Sequence, residues 1–236
     1  MEFFFSNIID NDIITLDVFE SRHCVKVMRH KIGDTINVVD GLGNLYVGNL
    51  IFIDKKSCKM KIDDIIKNYN KRNHYIHIAI SPIKNHDRLE WFIEKSVEIG
   101  VDEITLINCT RTLRKTIKID RLKKIALTAM KQTLKAYLPI INDIVDVDDF
   151  IKQNKHSNRF VCHLENDDRK DLFFYKNSML KKEDCCFLIG PEGDFTFDEI
   201  NLCKDYGFNP ISLGEGRLRT ETAGIVACHL SNVINS

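Results

Sequence analysis

From residue 75 onward, apolar strand-like runs alternate with amphipathic helix-like segments, and this alternation restricts the folds that the chain can adopt. The run 75–83 (YIHIAISPI) predicts a buried strand, whereas 88–100 (RLEWFIEKSVEIG) has helical spacing and ends at a glycine. Further strands are predicted at 103–108, 159–164, 185–190 and 210–214, and further helices at 120–137, 196–207 and 220–234. Strands that alternate with helices imply a parallel sheet covered by helices on both faces.

The first 70 residues have a different pattern, which is mostly β. Two apolar runs flank a glycine-rich turn at 40–44, which predicts a β-hairpin over 36–53, and 58–62 (CKMKI) is predicted to add a strand. A short helix is predicted over 20–34, and the polar stretch 67–73 is typical of a linker. We therefore predict a small β domain at 1–72 and an α/β domain at 73–236.

Composition excludes several classes of protein. Lysine plus arginine and aspartate plus glutamate number 34 each in 236 residues, so the global charge favours neither nucleic acid nor membrane. The eight cysteines form no C-x-x-C pair, which disfavours zinc sites and disulfides and predicts reduced, buried thiols in a cytosolic protein. No second histidine stands at metal-ligand spacing, so no metal is expected. We expect neither a signal peptide nor a membrane-spanning segment.

The strongest local signal is 186–200 (CFLIGPEGDFTFDEI), where an apolar strand is followed by a Gly-Pro-Glu-Gly loop and a helix. Thr196 and Glu199 have the spacing of a capping box, which predicts that Thr196 begins the helix. Ligands bind open parallel sheets at the carboxyl ends of the strands, where this loop is predicted to lie. A plain β–α turn with a good cap is the alternative.

A second strand, loop and helix follow in 211–224 (ISLGEGRLRTETAG). The glycine spacing does not fit a dinucleotide-binding loop, because Arg219 occupies the third glycine position, and the chain has no G-x-x-x-x-G-K-[ST] loop. ATP and NAD are therefore disfavoured. Two neighbouring strand-end loops that carry Glu192, Arg219 and Glu221 nevertheless predict one shared pocket.

Positive charge is concentrated between Cys109 and Lys135. This segment has nine basic residues and one acidic residue, which gives a local net charge of +8. A phosphate backbone is the natural partner of such a segment, since neutralising phosphates releases counterions. The alternative is a solvated helix face.

Several segments together resemble the ribosomal RNA small subunit methyltransferase E family, of the SPOUT class of S-adenosylmethionine enzymes. The paired signature is IGPEGDFTFDEI (189–200) and SLGEGRLRTETA (212–223). It is supported by RHCVKVMRHKIGD (22–34), DGLGNLY (40–46), EWFIEKSVEIGVDEI (90–104) and AMKQTLKAYLP (129–139), in the family's order. Asp194 departs from the pattern, because the family often has a second glycine there.

The resemblance implies a PUA-like β-barrel followed by a trefoil-knotted α/β methyltransferase domain. It implies S-adenosyl-L-methionine as cofactor, a homodimer in the cytoplasm, and methylation of N3 of a uridine in small-subunit (16S) ribosomal RNA. The cofactor-binding residues would be Leu188, Ile189, Gly190, Glu192, Gly193, Leu213, Gly214, Leu218, Arg219, Thr220 and Ala223. The RNA-binding residues would be Arg22, Lys26, Arg29, Arg111, Arg114, Lys115, Lys124, Lys131 and Lys135.

Arg219 and Glu221 are the candidate catalytic residues. Arg219 would stabilise the negative charge on the uracil oxygens as N3 loses its proton. Glu221 would accept that proton, cap the helix or orient Arg219, and these alternatives remain open. Two other functions also remain: an RNA-binding ribosome assembly factor without catalysis, and a methyltransferase of the same fold that acts on another RNA.

Overall fold

A computed structural model describes residues 2–54, 56–113, 116–165, 169–180 and 184–236. The chain divides into two compact units. Unit 1 comprises Met1–Lys71 and Leu127–Leu138, and unit 2 comprises Arg72–Ala126 and Pro139–Ser236. Residues 127–138, which the sequence analysis placed in the second domain, therefore cluster with the first unit. The predicted boundary between an RNA-binding domain at 1–72 and a methyltransferase domain at 73–236 stays a prediction.

Unit 1 is built on one mixed sheet of six strands. The strands are β1 (Phe3–Phe5), β2 (Ile9–Asp10), β3 (Ile13–Leu16), β4 (Thr35–Val39), β5 (Leu45–Ile53) and β6 (Cys58–Ile66), in the spatial order β1-β4-β5-β6-β3-β2. β1 and β4 pair in parallel, whereas the other neighbours are antiparallel. The predicted hairpin and the added strand are both confirmed. Alternate residues such as Ile36, Val38 and Met60 are buried together in the core of this unit.

The predicted helix over 20–34 is only partly right. The helix α1 (Val18–Arg22) begins two residues earlier, and the Asp17 carboxylate caps it by accepting a hydrogen bond from the Glu20 amide. It continues as a π-helical turn over His23–Val27, and the chain then leaves the helix at Arg29, which has a positive φ of 62°. The segment 30–34 is therefore a turn and not the end of a longer helix.

Unit 2 is an α/β unit with a seven-stranded sheet in which all neighbouring strands are parallel. The strands are β7 (Ile76–Ile80), β8 (Glu103–Asn108), β9 (Ile140–Asp146), β10 (Asn158–Cys162), β11 (Lys170–Asp171), β12 (Cys185–Ile189) and β13 (Asn209–Ser212), in the order β11-β13-β10-β12-β7-β8-β9. The helices are α2 (His86–Ile99), α3 (Ile119–Gln132), α4 (Val147–Gln153), α5 (Lys176–Met179), α6 (Phe197–Asp205) and α7 (Thr220–Asn235), and a 3-10 turn covers Leu172–Tyr175. Residues 127–132 of α3 belong to unit 1.

Helices cover both faces of the parallel sheet, as the alternating pattern predicts. Ala79 and Leu188 pack with residues of α4 and α6 in one core, whereas the neighbouring Ile80 faces α7. Opposite faces alternate along each strand because the side-chain period of a strand is two. The predicted fold class, an α/β methyltransferase domain after a small β domain, is confirmed, and the trefoil knot stays a prediction.

Two further properties bear on the sequence analysis. All eight cysteines are free; seven are buried and Cys162 is partly exposed, so the predicted buried thiols are present. Among the helices of the described ranges, none combines the length and apolar character needed to cross a bilayer.

Candidate active site

The two glycine-containing loops predicted to share a pocket line one cavity of about 410 Å³. The loops follow β12 and β13, and both lie at the carboxyl edge of the sheet. Ten predicted site residues line the cavity: Ile189, Gly190, Glu192, Leu213, Gly214, Leu218, Arg219, Thr220, Glu221 and Ala223. The shared pocket, which was predicted from the two strand-end loops and the charged residues they carry, is therefore present.

Two predicted cofactor residues lie away from the cavity wall. Leu188 is fully buried in the core beneath α4 and α6, because strand alternation directs its side chain to the sheet face and not to the strand end. Gly193 is exposed, and the space next to its Cα is bounded by the side chain of Arg111.

The loop after β12 is tied to the first turn of α7. The hydroxyl of Thr220 is buried and donates to the Gly190 carbonyl oxygen at 3.1 Å. Gly190 also permits a close approach, because a Cβ there would meet the Phe195 ring at 3.0 Å. The exposed Glu192 accepts a hydrogen bond from the Lys84 amide at 3.0 Å, which joins this loop to the segment after β7. These contacts fix the geometry of the cavity wall.

Asp194 fits this loop even though the family often has glycine there. Its φ is +62°, in the left-handed region that aspartate tolerates better than most residues. Its carboxylate accepts hydrogen bonds from the amides of Leu164, at 2.8 Å, and Phe195, at 2.9 Å. These two hydrogen bonds therefore stabilise Asp194 in the left-handed conformation, which glycine adopts without any such support.

The loop after β13 presents its backbone to the cavity. Gly214 has a φ of +124°, and its carbonyl oxygen accepts a hydrogen bond from the Ser212 hydroxyl at 2.8 Å. A Cβ at Gly214 or at Gly216 would meet no atom within 4 Å. Leu213 and Leu218 add apolar surface beside this open backbone. A ligand can therefore contact peptide groups and apolar side chains along the same wall.

The cavity wall also includes a buried carboxylate, that of Glu221, and two arginines, Arg88 and Arg219. Glu221 lies in the first turn of α7 with its side chain only 7% exposed, and the Arg88 guanidinium lies 3.6 Å from its Oε1. Arg219 immediately precedes the same helix and is exposed. This ion pair orients Glu221. Its partner, Arg88, is a residue that the sequence analysis did not single out.

Comparisons with known proteins decide the family. Residues 70–232 match the model of an RNA methyltransferase domain, and residues 19–63 match that of an RNA methyltransferase PUA domain. The ribosomal RNA small subunit methyltransferase E of Buchnera aphidicola subsp. Acyrthosiphon pisum is 33% identical over 224 residues, which cover 88% of this chain and 83% of that relative. This chain belongs to the ribosomal RNA small subunit methyltransferase E family. The Rickettsia conorii member is 28% identical over 94% of this chain and 90% of its own length.

Solved structures show the same fold along the whole chain. A probable rRNA-methyltransferase from Porphyromonas gingivalis has a TM-score of 0.90 and 34% identity, and the match covers 100% of this chain and 98% of that one. A Legionella pneumophila protein solved in complex with the cofactor SAM has a TM-score of 0.85 and 26% identity, and the match covers 98% of this chain and 96% of that one.

Sequence reasoning missed some of the residues that line the cavity. Arg88, Cys162, His163 and Arg169 line it, although none was predicted to belong to the site. Cys162 is the last residue of β10 and His163 follows it, so the strand-end rule could have found both. Arg88 lies in the first turn of α2, and only the fold brings it to Glu221.

The predicted RNA-binding residues of this methyltransferase family member differ in their surroundings. Arg22, Lys26 and Arg29 are exposed on unit 1, whereas Lys135 is half-buried. Lys131 forms an ion pair with the buried Glu20, and its own side chain is 17% exposed. Both partners belong to unit 1. Lys131 is therefore committed to an intramolecular partner.

In unit 2 the basic segment is also partly neutralised. Lys124 is exposed, but Arg111 donates to the carbonyl oxygens of Gly193, at 2.8 Å, and Phe195, at 3.2 Å. Arg121 pairs with Glu90 through two nitrogens. Arg114 and Lys115 lie outside the described residues. The local charge of +8 therefore overstates the positive charge available to RNA.

Proposed function

We propose that this protein methylates N3 of a uridine in small-subunit ribosomal RNA with S-adenosyl-L-methionine as methyl donor. The observation that carries the proposal is the single cavity formed by the loops after β12 and β13, with Arg219 and Glu221 on its wall, in a member of the ribosomal RNA small subunit methyltransferase E family. The N3 position comes from the family resemblance.

The cavity fits the cofactor in size and in chemistry. Its volume of about 410 Å³ is within the usual range of small-molecule sites. Ile189, Leu213 and Leu218 offer an apolar surface for the adenine, and the open backbone at Gly214 offers peptide groups. The bound cofactor would supply an electrophilic methyl group attached to a sulfonium.

The chain's own residues would position the uridine and stabilise its charge. Loss of the N3 proton places negative charge on the uracil oxygens, where the Arg219 guanidinium would act as a preorganised donor. Glu221 forms an ion pair with Arg88 at the same wall and would accept the N3 proton, cap the helix or orient Arg219. Holding N3 in line with the methyl group would lower the barrier further, because positioning removes an entropic cost.

RNA binding would involve both units. A uridine within folded RNA must be splayed out of its stack before N3 is accessible. The residues proposed to contact phosphates are Arg22, Lys26, Arg29 and Lys135 on unit 1 and Arg111 and Lys124 on unit 2. We also propose a homodimer in the cytoplasm, where ribosomal subunits assemble.

Mass spectrometry of ribosomal RNA from a deletion strain tests reaction and substrate together. The expected result is the loss of one N3-methyluridine from the small-subunit RNA and its return on complementation. Persistence of that nucleotide in the deletion strain would contradict the proposed substrate and would favour a methyltransferase that acts on another RNA.

Arg219→Ala tests the catalytic assignment in purified protein. We expect turnover to fall by about 10²–10³-fold, as for the loss of one donor to a developing oxyanion, while the circular dichroism spectrum is unchanged. Arg219→Lys keeps the charge and should retain part of the activity. Calorimetry with S-adenosylmethionine separates the remaining alternative, since an assembly factor without catalysis would show no saturable binding even at millimolar cofactor.

A further inference from the structure

A second cluster of side chains with potential ligand atoms lies toward the opposite end of the same strands. His77 and Cys186 are the second residues of β7 and β12 and are direct partners in the parallel register. His156 follows α4, and the ligand atoms of the three residues all lie within 4.8 Å of one another. The cavity loop after β12 begins after Ile189, about 10 Å further along this strand than Cys186 at 3.3 Å per residue. The cluster is therefore separate from the methyl-transfer cavity.

His77 has the surroundings of a metal-ligating imidazole. It is 3% exposed, and its Nε2 lies 2.7 Å from the Thr105 hydroxyl. Within the described part of the chain, its Nδ1 has no hydrogen-bond partner, since the Glu103 carboxylate is 3.6 Å away. When the Nε2–H donates to the Thr105 hydroxyl, the lone pair of the ring is on Nδ1, where a cation can bind.

The other two residues also have polar partners of their own. The His156 Nε2 lies 3.8 Å from the Asp184 carboxylate, which would have to approach to hydrogen-bond distance to form the carboxylate–histidine pair of many metal sites. The Cys186 sulfur accepts a hydrogen bond from the Asn154 side-chain amide at 3.3 Å. Each of the three candidate ligands thus has a partner outside the cluster that would orient it.

We propose that His77, His156 and Cys186 bind one Zn²⁺ ion, a site that lies beyond the proposed methyl transfer. Two imidazoles and a thiol suit a borderline-soft cation, whereas Mg²⁺ and Ca²⁺ prefer oxygen ligands. The Cys186 thiol would lose its proton to solvent on binding. Zn²⁺ and one thiolate together carry a net charge of +1. The carboxylates of Glu103 and Asp184, which lie next to the two histidines, would offset this positive charge.

The surroundings of the cluster provide a path by which the ion can enter and one ligand, His156, that can move toward it. His77 and His156 line a surface cavity of about 610 Å³ that also carries the carboxylates of Asp143, Asp146 and Asp149. This acidic cavity would attract a divalent cation and supply water as a further ligand. Zn–N distances of about 2.0–2.1 Å and a Zn–S distance of about 2.3 Å require ligand atoms closer than 4.8 Å. His156 is in the segment between α4 and β10, so it is free of the strand geometry that fixes the other two ligands.

Metal binding by the purified full-length protein tests the proposal. After treatment with EDTA and gel filtration, the chain is titrated with Zn²⁺, and bound zinc is measured by mass spectrometry. We expect one zinc per chain, and Co²⁺ should produce a near-ultraviolet thiolate-to-cobalt charge-transfer band. The cobalt spectrum of the wild type decides without any variant, because a spectrum that shows no thiolate ligand overturns the site.

Variants then assign the ligands. Loss of a partner outside the metal shell costs about 10–100-fold in affinity, so loss of a ligand in His156→Ala or Cys186→Ser should cost about 100-fold or more. The matched controls are His229→Ala, an exposed histidine, and Cys203→Ser, a buried thiol of the same core, and both should bind zinc like the wild type. Equal affinity in His156→Ala and the wild type would overturn the assignment. Calorimetry with S-adenosylmethionine on the same samples distinguishes failure of this site from failure of the proposed function.

Discussion

Gly224→Ala tests how tightly the last helix is packed. Gly224 lies in the second turn of α7, and a Cβ there would meet Cε2 of Phe92 at 2.5 Å and Cδ1 of Ile80 at 3.3 Å. Both neighbours are completely buried, so neither side chain has solvent to move into. Because non-bonded carbons are in contact at about 3.5–4.0 Å, the helices α2 and α7 must separate locally by about 1 Å.

Two opposing effects set the magnitude. Overpacking a well-packed core costs about 1–3 kcal/mol, and replacing glycine by alanine inside a helix contributes about 1 kcal/mol in the other direction. Since the side chains of Phe92 and Ile80 have no space to move into, we expect an overpacking cost of about 2–3 kcal/mol. After the gain from helix propensity, the free energy of unfolding should fall by about 1–2 kcal/mol. For a unit of this size the melting temperature should fall by about 2–8 °C. Displacement of the first turn of α7 would also disturb the Thr220–Gly190 hydrogen bond at the cavity.

Trp91, the only tryptophan, makes the measurement direct. It lies in α2 next to Phe92, so urea unfolding followed by its fluorescence reports on unit 2. Gly216→Ala is the matched control, because its Cβ would meet no atom within 4 Å, and its stability should stay within about 0.5 kcal/mol of the wild type. Phe92→Leu should make Gly224→Ala less costly, which a double-mutant cycle measures. A Gly224→Ala protein as stable as the wild type, or strictly additive effects in the cycle, would refute the packing argument.

Substitutions test three further contacts. Asp194→Ala should lower the unfolding free energy by about 1–2 kcal/mol more than Asp194→Gly does, because both lose two hydrogen bonds but only alanine is strained at a φ of +62°; urea midpoints measure the difference. Thr196→Ala should cost about 1 kcal/mol by removing the cap of α6, whereas Thr196→Ser should restore most of it in the same assay. Lys131→Met should leave the buried Glu20 carboxylate without its ion pair and speed hydrogen exchange of the unit 1 amides, and adding Glu20→Gln should reverse the effect. Unchanged exchange in Lys131→Met would mean that the pair contributes nothing to stability.

Local signals in the sequence predicted those parts of the fold that depend on neighbouring residues. The capping box of Thr196 and Glu199 is present in the structure, and α2 ends at Gly100, which adopts the left-handed conformation. The hairpin of β4 and β5 and the apolar strand β12 were also predictable, because their patterns lie within one segment.

Long-range contacts explain where sequence reasoning failed. The helix predicted over 120–137 ends at Gln132, because Leu134 adopts a positive φ and Ala136 accepts a hydrogen bond from the Gly43 amide. The strand β9 and helix α4 were missed because the aspartates in 140–149 interrupt the apolar pattern.

The candidate site shows the same limit. The loops could be placed at one sheet edge from strand ends alone, yet the pair of Arg88 and Glu221 joins residues that are remote in sequence. A count of charges in the basic segment likewise could not include Glu20 and Glu90, which lie outside it and neutralise two of its cations.

The buried thiols give each unit its own reporters of transient opening. Cys24 and Cys58 lie in unit 1, and the other six cysteines lie in unit 2. Burial raises the pKa of Cys24, Cys185 and Cys203 to about 12, so these sulfurs are unreactive until the structure around them opens. The rate at which an alkylating reagent labels each cysteine, resolved by peptide mass, therefore measures the local opening free energy without any engineered probe. The native cysteines therefore report local stability at two positions in unit 1 and six in unit 2.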